Sequence, residues 1–318
     1  MLRLRPDGTF VIVQLTDIHW HNGEPEDERS RDLIERVLDV ERPDLVVLTG
    51  DVVGGYASHD PAEALRQVAA PIIARGVPWA MVFGNHDDEG ALSRLDLLAA
   101  QQDLPLCLTE RGPKALTGIG NYVLRIAAAQ SDALAAALYL LDSGGYTDTG
   151  IGEYAWIARD QIAWLIEQAR ALALERAASL PELPAVPRLP TLAFFHLPLP
   201  EYNDAWESGA CLGHKHEPIC CPALNSGCFA ALVEAGVMGV FVGTITPTTS
   251  RASSSACASA MAEPLASLHT AATGLRVALA SFGCARRRPR SRRGCASKTA
   301  RANSSAPTRS GTGAGLTR

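Results

Sequence analysis

The sequence lacks any apolar run long enough to cross a membrane, so we expect no membrane span. It also leaves no room for a signal peptide before the first predicted strand at Thr9, which favours a cytoplasmic protein or an incomplete N-terminus. Paired Cys-x-x-Cys motifs are absent among the 8 cysteines, which argues against a zinc ribbon. Reduced thiols are expected, with a local disulfide in the 211–228 loop as the alternative.

Acidic side chains are nearly missing from the last quarter of the chain. Residues 244–318 contain 12 Lys and Arg but only one acid, Glu263, whereas residues 1–243 contain 17 basic and 33 acidic side chains. The Ser, Ala and Arg composition of the last part buries too little apolar surface to offset the entropy of ordering. We therefore expect one folded domain over 1–243 and a disordered basic tail over 244–318.

Apolar runs predict the strands of an α/β domain. Residues 9–15, 45–48 and 79–83 read as buried strands, separated by helical patterns at 30–42 and after Asp60-Pro61. Continuous apolar strands that alternate with helices are typical of a parallel sheet covered on both faces. Later runs at 122–126 and 138–141 predict strands of a second, more antiparallel sheet, and runs at 192–195 and 237–242 predict further strands.

Polar side chains with metal-binding chemistry follow these strands, where open α/β sheets place their ligands. They are Asp17, His19, Asp51, Asn85, His86, Asp87 and His196. Carboxylate, imidazole and amide ligands suit hard di- or trivalent cations, and phosphoester hydrolysis gains from two metals that hold a nucleophilic hydroxide. Each motif alone could be a turn, a surface pair or a core histidine, but their joint occurrence in order predicts a metal site.

The residue types suggest a division of roles. Asp51 is the natural carboxylate bridge between two metals, with Asp17 and His19 on one and Asn85 and His196 on the other. His86 would point at the leaving group as a catalytic residue. Asp87, the second catalytic candidate, would accept a hydrogen bond from the ring of His86 and raise its basicity.

These motifs resemble the calcineurin-like metallophosphoesterase superfamily, whose pattern is D-x-H, G-D, G-N-H-[DE], a single H after a strand, and G-H-x-H. The resemblance covers residues 10–243, and phrases such as Leu141-Asp142-Ser143-Gly144 resemble the branch named probable inactive purple acid phosphatases of plants and fungi. Purple enzymes have a Tyr three residues after the Gly-Asp aspartate; Gly54 stands there and Tyr56 is out of register, so a purple iron centre is not implied.

The resemblance implies a fold, a cofactor and a substrate class. The fold is a four-layer α/β/β/α sandwich with two mixed sheets, truncated here after the strand that ends at Val242. The activity is metal-dependent phosphoester hydrolysis with two metal ions, and the resemblance does not distinguish Mn, Fe and Zn as their identity. The partner is a phosphorylated small molecule or a phosphoprotein substrate, and nucleic acid is not expected.

The G-H-x-H motif is missing from its expected place, because Gly243 is followed by Thr244-Ile245-Thr246. Codons read across the residue junctions allow G-H-D-H there, and we hypothesise that a base lost at Gly243 put 244–318 out of frame. Gly213-His214-Lys215-His216 matches the letters but follows no strand, so we interpret it as a solvated loop. The hypothesis predicts impaired activity; the alternative is a non-catalytic binding or scaffold protein whose basic tail binds nucleic acid or lipid.

Overall fold

The computed structural model describes residues 1–179, 188–209, 211, 218–243, 258–259, 266–269 and 274–281. The helices are α1 (Pro25–Glu41), α2 (Pro61–Ala74), α3 (Arg94–Gln102), α4 (Arg159–Ser179), α5 (Glu201–Glu207) and α6 (Cys228–Ala235). The strands are β1 (Leu2–Arg3), β2 (Phe10–Thr16), β3 (Leu45–Thr49), β4 (Trp79–Val82), β5 (Tyr122–Ala127), β6 (Leu134–Leu140), β7 (Thr191–Phe194), β8 (Gly239–Phe241), β9 (Ala258–Ser259), β10 (Ala266–His269) and β11 (Leu275–Ser281).

The first sheet has the strand order β10-β11-β2-β3-β4. Strands β11, β2, β3 and β4 run parallel, and β10 is an antiparallel edge strand. Alternate residues of β2 point to opposite faces: Phe10 and Ile12 pack toward the second sheet, whereas Val13 and Leu15 pack against the helices. Both faces are buried, which explains the unbroken apolar runs of these strands.

The second sheet has the strand order β1-β5-β6-β7-β8-β9. Only β5 and β6 pair antiparallel, and the other neighbours are parallel. The two runs expected to be antiparallel, 122–126 and 138–141, are β5 and β6, and they do pair antiparallel. The other pairs are parallel because α4 joins β6 to β7 and α5 and α6 join β7 to β8, and such crossovers return the chain to a parallel strand.

Three apolar clusters show how the layers stack. One packs β2, β3 and β4 against α1, α2 and α3. A second packs β6, β7 and β8 against α4 and α6. The third lies between the two sheets, where Phe194 and Phe241 stack with ring centroids 4.9 Å apart. The four-layer α/β/β/α sandwich expected from the sequence is thus the observed architecture.

The sheets extend past Val242, where the sequence analysis expected the fold to end. Strand β11 lies inside the predicted tail, yet it pairs with β2 along its whole length, and Leu275 and Val277 are buried. Alternating apolar residues carry this strand, a local pattern that the composition of the whole tail conceals. Strand β9 also pairs with β8. Strand β10 pairs with β11 in turn. The other residues of the predicted tail, except Gly274, and the Gly213–His216 motif lie outside the described residues.

Local sequence sets where the first helices begin. Helix α2 begins as predicted at Pro61, because the carboxylate of Asp60 accepts a hydrogen bond from the Glu63 amide at 3.0 Å. Helix α1 begins earlier than the expected residue 30, since Glu24 and Asp27 form a capping box around its first turn. The loop after Asp17 is therefore shorter than the sequence suggested.

The described cysteines and helices bear on two expectations from the sequence, a local disulfide and the lack of a membrane span. Cys107, Cys211, Cys220, Cys221 and Cys228 all carry free thiols, so the alternative of a disulfide in the 211–228 loop is not formed. Within the described ranges, no helix is both long enough and apolar enough to cross a membrane.

Candidate metal centre

The polar residues predicted from the strand ends converge at the carboxyl edge of the two sheets. Asp17 follows β2, Asp51 follows β3 and His196 follows β7. Each offers one ligand atom, and these atoms all lie within 4.8 Å of one another. The three side chains belong to buried residues, so the cluster concentrates two carboxylates and an imidazole in a region of low dielectric.

Asp51 is the centre of this cluster. Its Oδ2 lies 3.3 Å from Nε2 of His196, 3.8 Å from Nε2 of His19 and 3.9 Å from Nε2 of His86. Its Oδ1 accepts a hydrogen bond from the His86 amide at 2.8 Å. Burial raises the pKa of Asp51, but the surrounding imidazoles, His196 foremost, outweigh it and hold the pKa well below its usual range. Asp51 is thus a fixed anion that faces three imidazoles.

The backbone is strained where these ligands leave their strands. Asp17, His19 and Asp51 have φ angles of 57°, 50° and 49°, in the left-handed region that residues with a Cβ rarely occupy. Each such residue costs of order 1–3 kcal/mol and persists only where the surrounding structure enforces it. Hydrogen bonds from the amides of Asp17 and His19 to the carbonyls of Gly50 and Asp51 tie the two strand ends together.

His196 is oriented by the backbone beneath it. Its Nδ1 donates to the Thr49 carbonyl at 2.8 Å, and its Nε2 lies 3.1 Å from Oδ1 of Asn85. Burial lowers the pKa of this imidazole, but Asp51 and Asp17 outweigh it and raise the pKa to about 9. Nε2 of His196 therefore faces the oxygens of both Asp51 and Asn85.

His19 has the opposite electrostatic character. Burial lowers its pKa to about 4, against the attraction of Asp51, so the ring is neutral at physiological pH. Its Nδ1 is buried and has no hydrogen-bond partner, while its Nε2 faces Asp51. A neutral imidazole with a free lone pair is the form that binds a cation.

Two glycines allow the strand ends to approach this closely. Gly50 has a φ of 86°, and a Cβ there would fall 2.6 Å from Nδ1 of His196. A Cβ at Gly243 would fall 2.4 Å from the same nitrogen and from Oγ1 of Thr16. A larger residue at either position would clash with the His196 ring and with the backbone or side chains beside it.

The sequence predicted that Asp87 would accept a hydrogen bond from the ring of His86, but the carboxylate of Asp87 bonds to backbone amides instead. Its Oδ1 accepts hydrogen bonds from the Val52 and Val53 amides, both at 2.9 Å. Its Oδ2 accepts from the Asp51 amide at 3.0 Å and the Gly84 amide at 2.7 Å. Burial and the nearby Asp51 carboxylate raise the pKa of Asp87, and these amide bonds oppose that rise. Asp87 instead fixes the loop that carries Asp51.

Glu89 has the role that the sequence predicted for Asp87, which is to bond to the ring of His86. Its Oε2 accepts a hydrogen bond from Nδ1 of His86 at 2.5 Å, which leaves Nε2 directed at the cluster. The three-residue spacing between His86 and Glu89 was the feature of the sequence that could have indicated this contact. A carboxylate on the outer nitrogen fixes the tautomer of an imidazole and increases its basicity.

A partly buried arginine joins this loop to its neighbour. Arg94 donates to the Gly84 carbonyl at 2.8 Å and to the Asp142 carboxylate at 2.5 Å. Asp142 in turn accepts from the Gly144 amide at 2.8 Å, at the base of the loop that carries Tyr146. No role was predicted for Arg94 or Asp142, because nothing in their sequence spacing indicates that the two side chains meet.

The donor set fits hard metal cations. Carboxylate oxygens, imidazole nitrogens and an amide oxygen meet in one buried cluster, where Nε2 of His196 lies 3.1 Å from Oδ1 of Asn85 and 3.3 Å from Oδ2 of Asp51. The unpartnered nitrogen of His19 belongs to a ring whose other nitrogen faces the same cluster. We infer that Asp17, His19, Asp51, Asn85 and His196 are the residues that would hold metal.

Comparisons with known proteins agree with this chemistry. A family model described as "Calcineurin-like phosphoesterase" matches residues 10–219. The chain is 32% identical over 273 residues to "Probable inactive purple acid phosphatase 28" of Arabidopsis thaliana, covering 76% of this chain and 66% of that protein. It is 34% identical over 247 residues to "Phosphatase DCR2" of Saccharomyces cerevisiae, covering 69% of this chain and 41% of that protein. The chain thus spans about two thirds of the plant relative and less than half of the yeast one.

Proposed function

The chain belongs to the calcineurin-like phosphoesterase family, and from that premise we propose that it is a metal-dependent phosphoester hydrolase with a dinuclear centre. The observation that carries the proposal is the convergence of Asp17, Asp51 and His196, with His19 and His86 also directed at Asp51. Two metal ions bound there would neutralise the phosphoryl oxygens and supply an activated water. The substrates are phosphorylated small molecules or phosphoproteins.

The protein side chains divide the remaining work. Asp51 would be the ligand shared by the two ions, because its carboxylate faces one imidazole assigned to each of them. His86 presents Nε2 to the cluster while Glu89 holds Nδ1, so His86 is the candidate that donates a proton to the leaving oxygen. Asp87 and Arg94 hold the loops that carry these groups, and they act through position alone.

The described residues supply five of the seven metal ligands in the family pattern, namely Asp17, His19, Asp51, Asn85 and His196. Gly243 donates its amide to the His196 carbonyl at 2.9 Å, so the chain leaves β8 beside the cluster. Thr244 and Thr246 occupy the sequence positions where the family pattern has two histidines, so each ion would have one imidazole fewer than that pattern provides. Loss of an outer-sphere partner alone costs about 10- to 100-fold in metal affinity, and loss of a direct ligand should cost at least as much. We therefore propose a weakened enzyme.

Hydrolysis of p-nitrophenyl phosphate and of its bis-ester with added Mn²⁺ tests the proposal. We expect slow, Mn²⁺-dependent turnover that EDTA abolishes and that His86→Ala lowers further. Thr244→His/Thr246→His should raise turnover, since it restores the missing imidazoles. Turnover that persists in EDTA, or that His86→Ala leaves unchanged, would contradict the assigned site.

A non-catalytic binding or scaffold protein is the second candidate. Two observations favour it: plant relatives carry the words "probable inactive" in their names, and the two expected histidines are threonines here. Elemental analysis separates the candidates. Two equivalents of bound metal support the hydrolase, whereas a folded protein that binds none supports the scaffold.

A further inference from the structure

Two half-exposed tyrosines flank His86 at the mouth of the metal cluster. The Tyr56 ring meets the His86 ring edge-on, with centroids 5.6 Å apart and an interplanar angle of 73°. The Tyr146 ring meets His86 at 6.2 Å and 71°. Their exposed fractions are 45% and 44%, although large aromatic rings are usually well buried. The residue assigned to the leaving group is thus bordered by two accessible aromatic rings.

Tyr146 is held rigidly relative to the cluster. Its hydroxyl accepts a hydrogen bond from Nδ2 of Asn85 at 2.9 Å, and its ring stacks on Tyr154 at 5.8 Å and 25°. The two tyrosines form a backbone bridge, and the amides of Thr147 and Ala155 extend that hairpin by hydrogen bonds of 2.9 and 2.8 Å. A ring fixed in this way offers a contact surface without an ordering cost at binding.

Tyr56 approaches from the loop that follows Asp51. Its ring contacts His21 edge-on at 5.4 Å as well as His86. The Gly55 amide donates to the His86 carbonyl at 3.1 Å, which ties this loop to the one that carries His86. Tyr56 and Tyr146 are therefore fixed by separate loops that both bond to the residues around His86.

His86 is the residue assigned to the leaving oxygen, so the group attached to that oxygen would lie beside His86 and within reach of the two tyrosine rings that contact it. Aromatic rings favour stacked or edge-to-face contact with another planar ring. We propose that Tyr56 and Tyr146 form a subsite for a planar aromatic leaving group, so that aryl or nucleoside phosphoesters are preferred over alkyl ones. This inference rests on the proposed hydrolase function.

Binding of non-hydrolysable phosphonates tests the subsite without any need for turnover. Isothermal titration of the full chain with Mn²⁺ compares phenylphosphonate with methylphosphonate. We expect phenylphosphonate to bind about 5- to 10-fold more tightly, as ring contacts of this kind provide. Tyr146→Leu and Tyr56→Leu should each reduce that ratio, whereas Tyr146→Phe should keep it because the ring remains. Leu174→Ala, an exposed apolar position on α4, is the control and should leave the ratio unchanged.

The outcomes separate this inference from the function beneath it. If both phosphonates bind equally, or if Tyr146→Phe loses the ratio as fully as Tyr146→Leu, the aromatic subsite is overturned while the phosphoester site stands. If neither phosphonate binds, both the subsite and the proposed function fail. Adenosine 5′-thiomonophosphate identifies the source of the ring: tighter binding than phenylphosphonate assigns the subsite to nucleosides, and weaker binding assigns it to aryl groups.

Discussion

Replacement of Asp87 by Asn tests whether this residue supports the fold or the chemistry. The Asp87 carboxylate accepts four backbone amides, two on each oxygen, at 2.7–3.0 Å. An amide side chain of the same shape has one oxygen and one NH₂ group, so it can accept at most two of these bonds. In either orientation Asp87→Asn leaves two buried amides without an acceptor.

The magnitude follows from those two amides. Each buried donor left unsatisfied costs about 1–3 kcal/mol, which gives about 2–6 kcal/mol for the pair. The variant also removes the repulsion between the carboxylates of Asp87 and Asp51, which places the expected loss in the lower part of that range. We expect Asp87→Asn to lower the free energy of unfolding by about 2–4 kcal/mol.

Urea unfolding in EDTA, followed by tryptophan fluorescence, measures this loss without a contribution from bound metal. Asp88→Asn is the matched control, because Asp88 makes a partly exposed ion pair with Arg94 at 3.2 Å and should cost at most about 1 kcal/mol. If Asp87→Asn were as stable as the wild type while its turnover fell, the carboxylate would act on catalysis, and the structural role argued here would be refuted.

Four further predictions concern the cluster and its support. Asp51→Asn should weaken Mn²⁺ binding at least about 100-fold in a titration, because one oxygen of Asp51 lies 3.3–3.9 Å from all three imidazoles; binding within 10-fold of the wild type would contradict this. Gly243→Ala should lower the free energy of unfolding in urea by about 1–3 kcal/mol, since its Cβ would fall 2.4 Å from His196. Glu89→Gln should lower kcat at least about 10-fold and add nothing to His86→Ala, whereas additive losses would separate the two residues. Because the pKa of His196 in the folded protein is raised from 6.5 to about 9, the contribution of this group to apoprotein stability is complete below pH 6.5 and is lost as pH rises toward 9. Mn²⁺ affinity should increase over the same pH range, since the metal competes with the proton. Titrations at several pH values that show a constant Mn²⁺ affinity would count against a protonated His196.

Much of the fold was predictable from local patterns. The apolar runs before Asp17, Asp51 and Asn85 are the parallel strands β2, β3 and β4, and Asp60-Pro61 begins a helix. Strand β11 was not predicted, because a strand at the centre of the chain's basic part gains its stability from pairing with β2 rather than from its own composition. The direction of strands in the second sheet likewise depended on crossovers that the sequence did not reveal.

The candidate site shows the same division. The sequence by itself determined which side chains stand at the strand ends, because the strand pattern places Asp17, Asp51 and His196 at one edge. Only the tertiary structure decided what each carboxylate does. Asp87 bonds to the Asp51 loop and Glu89 to His86, since the turn after β4 directs neighbouring side chains to different partners. Contacts of that kind depend on backbone direction over a few residues and on distant loops, which no spacing in the sequence encodes.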